Sequence, residues 1–432
     1  MEIHTQHANK ASEGMVLAHL RMLETYKKHL EQVLVDEEYT APESSLRVPF
    51  DKKMHEEVTA TVDSFAGEVK TVLLVGIGGS DMGTRAIYDA LRGHLDVTRD
   101  ASPRLITVNT VEPKILANIE QVLASHDNPR EIALVVVSKS GKTTETIANA
   151  NILFTALSER FSPEVASSQT IVITDKESPL AQSATEKNIS LISFPSNVGG
   201  RYSVFTAVGL VPLTLLGFDT NAFIQGAQSA IGASVSSDKP SSAAVIASFL
   251  FEAYLQGSRI HELFIWHPEL ETLGKWYRQL LAESIGKERK DGTKIGFTPT
   301  IEIGSIDLHS VGQLIFGGRN DRFTTFISAS KAWDAEGRTY NKNSPFTLDV
   351  LENKKGSDVM QAILGGVRKT YETHNLPYIS IEMSEINERE LGAFMALHMT
   401  AIMFLAQIFD INAFDQPAVE TYKKEVRRLL SN

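Results

Sequence analysis

The chain has 432 residues, 42% hydrophobic and 22% charged, an ordinary globular composition that excludes a disordered or low-complexity class. With 42 Lys+Arg against 53 Asp+Glu the net charge is −11, which argues against general affinity for nucleic acid or an anionic membrane. There is no cysteine, which excludes a disulfide framework, a thiolate nucleophile and a Cys-ligated zinc or iron–sulfur site.

At ~150 residues per domain, this length predicts about three domains or two large ones. Met1 to Lys10 is polar and carries Glu2, so no signal peptide is expected. Val16, Leu20, Leu23, Leu30 and Leu34 recur at helical spacing within an N-terminal helical segment, 1–44. Pro42 and Pro49 mark the connection to a first α/β domain, 45–205. There, the apolar runs 71–75, 105–108, 132–137, 170–173 and 189–192 alternate with helical stretches. Unbroken apolar strands alternating with helices predict a parallel sheet covered on both faces. A helical connection, 206–234, leads to a second α/β domain, 235–410, with strands near 262–265, 323–327 and 378–381. Residues 411–432 form a C-terminal motif and helix. The most apolar stretch, 394–409, is broken by His398, Thr400 and Gln407, and reads as too short and too polar to span a membrane. The expectation is a soluble, cytoplasmic protein with no membrane or nucleic-acid partner.

Six segments carry candidate chemistry. Gly76-Ile77-Gly78-Gly79-Ser80 stands between a strand and a helix, where glycines admit a ligand to the backbone and the helix N-terminus attracts anions. A dinucleotide fingerprint would need glycine where Asp81 stands, which leaves phosphate or sugar binding against a simple tight turn. Ser138-Lys139-Ser140-Gly141-Lys142-Thr143 again follows a strand and opens a helix. A P-loop would require glycine in place of Val136, so that reading fails. Hydroxyls, amides and two lysines at a helix start suit a phosphate monoester held without metal; the alternative is a well-capped helix. Gly199-Gly200-Arg201-Tyr202-Ser203 sets an arginine after two glycines, free to face a cleft. Glu283-Ser284-Ile285-Gly286-Lys287 and Asp307-Leu308-His309-Ser310 offer a carboxylate and an imidazole, neither diagnostic alone. Phe414-Asp415-Gln416-Pro417 leads through Glu420 into a basic helix with Lys423 and Lys424. His267 lies at the wrong offset from His261 and Glu262 for a zincin, and no metal site is read.

Taken in this order, the segments resemble the phosphoglucose isomerase family from about Val75 to Lys424, most of the chain. The resemblance implies two sugar-isomerase (SIS-type) doubly wound parallel-sheet α/β domains with flanking helical segments. It implies reversible aldose–ketose isomerisation of glucose 6-phosphate and fructose 6-phosphate in glycolysis and gluconeogenesis, by a homodimer without a cofactor. Ser138, Lys139, Ser140 and Thr143 match positions that hold the sugar phosphate, with Gly79 and Ser80 lining the same cleft. Gly200 is grouped with the substrate contacts, and Arg201 matches the arginine that faces the enediolate. Glu283 matches the base that moves a proton between C2 and C1. His309 and Lys423 match the pair assigned to ring opening, with His309 supplied by the neighbouring subunit, and Gln416 matches a further substrate contact. Ser140, Gly141-Lys142 and Pro417-Ala418 depart from the commoner residues at their positions.

The residue types suit that chemistry. A carboxylate can take a proton from one carbon and return it to its neighbour, and positioned general bases contribute ~10²–10⁴-fold. A fixed arginine stabilises negative charge developing on oxygen. Histidine, with an ordinary pKa near 6.5, exchanges a proton during ring opening, and the unreactive phosphate fixes the carbon chain against the base. Two other readings are a relaxed isomerase that also accepts mannose 6-phosphate and a non-catalytic sugar-phosphate sensor. The sensor reading predicts loss of the carboxylate and ring-opening groups, all of which are present.

Overall fold

The structure is a computed structural model that describes residues 1–5, 13–65, 69–93, 102–236, 241–333, 337–346 and 348–431. The chain opens with β1 (Glu2–His4), α1 (Glu13–Val33) and α2 (Lys52–Asp63). Next come β2 (Thr71–Val75), α3 (Met82–Arg92), β3 (Arg104–Val108), α4 (Pro113–Ala124), β4 (Ile132–Val137) and α5 (Thr144–Arg160). The first domain is completed by α6 (Pro163–Ser168), β5 (Thr170–Thr174), α7 (Pro179–Glu186) and β6 (Ser190–Ser193). Helices α8 (Ala207–Leu215), α9 (Thr220–Val235) and α10 (Ser242–Leu255) lead to β7 (Ile260–Ile265) and α11 (Glu271–Ile285). A small hairpin, β8 (Lys287–Glu288) and β9 (Lys294–Ile295), precedes β10 (Thr298–Ile303), α12 (Gly312–Gly317) and β11 (Arg322–Ala329). The chain ends with α13 (Gly356–Thr373), β12 (Tyr378–Met383), α14 (Glu388–Phe409) and α15 (Glu420–Leu430).

Every residue of β2, β4 and β5 is buried, which is why these strands read as unbroken apolar runs. The first sheet has the order β3-β2-β4-β5-β6 and is parallel throughout. The chain leaves β2 for β3 on one side, then crosses back to β4 on the other. A crevice therefore opens outside the carboxyl ends of β2 and β4, where doubly wound sheets bind ligands. The second sheet winds in the same way, with parallel order β12-β11-β7-β10. Helices α3 and α11, which follow the first strand of each domain, pack against each other. The main core contains residues of both sheets together with α8, α9, α10 and α14, so the two domains share one apolar interior.

Three sequence expectations change here. Residues 2–4, assigned to a helical segment, form β1, antiparallel to β12 at the edge of the second sheet. A strand this short carries no periodic signal, and pairing with the exposed edge of β12 decides it. Strand β10 was not predicted, because it is an edge strand of alternating polar residues, Thr298, Thr300 and Glu302, mostly half-buried. The apolar stretch 394–409 belongs to a 22-residue helix, α14, which by length and composition alone could cross a membrane. Its apolar window is 83% buried inside the protein, packed on α9, α10 and α11, so it serves as the central core helix.

Candidate active site

The crevice of the first domain forms one wall of a cleft of about 810 Å³. After β2, Gly78 adopts φ +65°, and a Cβ on Gly79 would lie 2.1 Å from the carbonyl carbon of Gly200. Only glycine allows two backbones to approach this closely, and the contact joins the Gly76–Ser80 turn to the Gly199–Ser203 loop. After β4 the chain turns through Gly141 at φ +62° into α5, whose first turn opens on the cleft beside Ser140, Lys142 and Thr143. The free amides and dipole of a helix start favour an anion there.

Lys139 spans the two loops. Its Nζ donates to the Val198 carbonyl at 2.9 Å and lies 5.7 Å from the centre of the Phe194 ring. Burial holds the Lys139 ammonium below its ordinary pKa, with Asp175 acting in the opposite direction. A bound dianion would favour its charged form.

The second wall is the C-terminal turn of α11 together with residues 413–416. Glu283 is half-buried and faces the cleft. Its Oε1 accepts from Gln279 Nε2 at 3.2 Å, and its Oε2 accepts from Gln416 Nε2 at 2.8 Å and from Arg201 Nη1 at 3.3 Å. Arg201 is 2% exposed; its Nε donates to Ser284 Oγ at 2.8 Å and its Nη2 to the Ala413 carbonyl. Lys287 donates to the carbonyl of Asp415 and to its Oδ1 at 2.9 Å. Residues 413–416 are thus pinned by Arg201 and Lys287, and this presents Gln416 to the carboxylate. Lys423 lines the same cleft from α15, where its Nζ bonds Glu420 Oε1 at 2.9 Å.

Of the residues singled out in the sequence, Gly79, Ser80, Lys139, Ser140, Thr143, Gly200, Arg201, Glu283, Gln416 and Lys423 line this one cleft. Two do not. Ser138 is 2% exposed and lies behind the loop; its amide still bonds Ile173 of β5, and its Oγ donates to Thr143 Oγ1 at 3.1 Å. Ser138 therefore orients a hydroxyl that lines the cleft without reaching the cleft itself. His309 ends a 3-10 turn (Ile306–His309) beyond the edge strand β10, exposed to solvent and outside the cleft of its own chain. Sequence reasoning missed Gln279, Ser284 as a partner of Arg201, and the Lys287–Asp415 pair. Gln279 stands four residues before Glu283 on one helix face, a spacing that could have found it; the other two depend on the tertiary fold.

Two parallel-sheet domains wound in the same sense, with a strand-to-helix loop on one wall of the cleft between them and a carboxylate on the other, have the architecture of sugar-isomerase-type α/β proteins. A sequence model of the phosphoglucose isomerase family matches residues 10–432. The chain belongs to the phosphoglucose isomerase family. A glucose-6-phosphate isomerase of Mycoplasma capricolum is 30% identical over 390 residues, covering 89% of this chain and 88% of its own. One of Methanocaldococcus jannaschii is 30% identical over 366 residues, 84% of each chain. Among solved structures, a hypothetical protein from Thermus thermophilus shares the fold over 100% of both chains, at 23% identity and a TM-score of 0.85. A glucose-6-phosphate isomerase from Chlamydia trachomatis covers 98% of this chain and 87% of its own, at 19% identity and a TM-score of 0.78.

Proposed function

We propose that this chain interconverts glucose 6-phosphate and fructose 6-phosphate through an enediol(ate), with Glu283 moving the proton between C2 and C1. The observation that carries the reading is the Glu283 carboxylate, held by Gln279, Gln416 and Arg201 in the cleft whose opposite wall is the Lys139–Thr143 anion loop. The phosphate binds that loop together with Gly79 and Ser80, and its binding energy orients the reacting carbons. Arg201 meets the charge that develops on oxygen in the intermediate. Lys423 assists ring opening, and breaking its exposed pair with Glu420 to do so costs little.

Ring opening also uses His309 from a second copy of the chain in a homodimer. This is supported by the exposure of His309 and its position outside its own cleft. The same reading puts the enzyme in the cytoplasm, in glycolysis and gluconeogenesis, acting on a small anionic sugar without a resident cofactor. The test is interconversion of the two sugar phosphates by the native enzyme and by Glu283→Gln. The substitution is expected to lower kcat by ~10²-fold or more, the contribution of a positioned base. Turnover within about threefold of the native enzyme would remove the base assignment.

A further inference from the structure

Arg201 and Glu283 are the two charges the reaction needs separately, one to meet an oxyanion and the other to accept a proton. An arginine and a carboxylate left to themselves form short, often bidentate pairs at about 2.7–2.9 Å. Here the contact is a single Nη1···Oε2 approach of 3.3 Å. The other side of the guanidinium is occupied: Nε donates to Ser284 Oγ at 2.8 Å and Nη2 to the Ala413 carbonyl. Ser284 is fully buried and its Oγ also bonds Tyr202 Oη at 2.9 Å. Tyr202 is 1% exposed and is held in turn against Phe414, the ring centres 5.4 Å apart. The hydroxyl is thus fixed from two directions, by the arginine of the Gly199–Ser203 loop and by the phenol beside it.

We propose that Ser284, braced by Tyr202, is a positioning residue that holds Arg201 off Glu283, keeping the carboxylate and the guanidinium available to substrate. This deepens the isomerase reading above and rests on it. Ser284 follows Glu283 directly in α11, so one helical turn carries the base and also sets the distance of its cationic neighbour. Removing the Oγ frees the Nε edge to rotate, and the nearest anion is the Glu283 carboxylate. The guanidinium then collapses into a closed ion pair. The loss falls on charge stabilisation and proton transfer, while phosphate binding, which depends on the Lys139–Thr143 loop, is untouched.

The experiment compares native enzyme, Ser284→Ala and Tyr202→Phe in two measurements: steady-state kinetics, and inhibition by a pair of ligands. One ligand is a five-carbon aldonic acid phosphate, whose carboxylate mimics the enediolate; the other is a neutral alditol phosphate of similar length. Ser284→Ala is expected to lower kcat about tenfold or more with KM within about twofold, the pattern of an interaction made in the transition state. It is also expected to weaken the aldonate about tenfold and leave the alditol within about twofold. Tyr202→Phe, which keeps the ring and the serine, is expected to show the same split with a smaller loss. It stands as the second variant should the alanine protein fail to fold. Active native enzyme with unchanged kcat and aldonate inhibition in either folded variant overturns the positioning role alone. Native enzyme without isomerase turnover overturns the isomerase reading, and this role with it.

Discussion

Glu283 is held by Gln416 of the C-terminal segment at 2.8 Å and Gln279 of its own helix at 3.2 Å, with Arg201 of the loop after β6 in a single longer contact at 3.3 Å. A carboxylate fixed by two amides from different segments keeps its rotamer, and this geometry matters more to a proton shuttle than raw affinity does. Lys423 is less constrained: among the described residues it bonds Glu420, within the first turn of an exposed helix. Lys423→Ala is therefore expected to slow turnover of closed-ring sugar by about tenfold while changing the rate on open-chain substrate much less, in line with a proton-transfer contribution to one step. Pre-steady-state comparison of the two substrate forms checks this, and equal losses would take Lys423 out of ring opening.

At the scale of elements, the site exists because two loops leave adjacent parallel strands at the point where the winding reverses, and because α11 of the second domain docks across them. That docking rests on an apolar interior that contains unusual polar groups. His261 of β7 lies between Thr325 and Tyr277, bonded to each at 2.9 Å, and His398 of α14 packs against Tyr277 and bonds the Phe394 carbonyl. Burial pushes His261 down to about 3 and His398 down to about 4, because a desolvated imidazolium is costly. The unfolded chain takes up protons near pH 6.5 that the folded chain refuses. Stability is therefore complete above that pH and is lost as pH falls from about 6.5, toward 4 for His398 and toward 3 for His261, on the order of 2 kcal/mol per histidine at pH 5. Melting the native protein and His398→Leu at pH 7 and pH 5 is expected to give a smaller acid-induced drop for the variant; equal drops would show that His398 does not carry the dependence.

Much of this level was legible from sequence. The strands β2, β4 and β5 are apolar throughout, and glycines or hydroxyls follow the two strands at the switch point, so both loops could be assigned in advance. The legibility stops where geometry is made by distant segments. Nothing local distinguishes Ser138, still in the sheet ladder, from Ser140, at the cleft. Nothing local ties Ser284 to Arg201, 83 residues away. β1 and β10 were missed for the same reason, since both are edge strands stabilised by partners and not by their own pattern.

At the scale of the whole molecule, the net charge is −11 and the cleft itself sets Lys139, Lys142, Arg201, Lys423 and Arg427 against Glu145, Asp175, Glu177, Glu283 and Glu420, so what favours a dianion is local, the lysines and helix start at the opening of α5. If the second copy supplies His309, two defective proteins should repair each other. Glu283→Gln and His309→Ala, each nearly inactive alone, form mixed dimers in which one of two sites is intact. Random exchange is expected to restore about a quarter of native activity per site, since half the dimers are mixed. No recovery on subunit exchange would confine His309 to a role within its own chain. The central claim, that the Glu283 carboxylate carries the proton between the two carbons, is tested most directly by isotope exchange. In heavy water, NMR should show native enzyme placing deuterium at C2 of glucose 6-phosphate and C1 of fructose 6-phosphate, with Glu283→Gln slower by ~10²-fold or more. Exchange by Glu283→Gln within about threefold of the native rate would contradict the account.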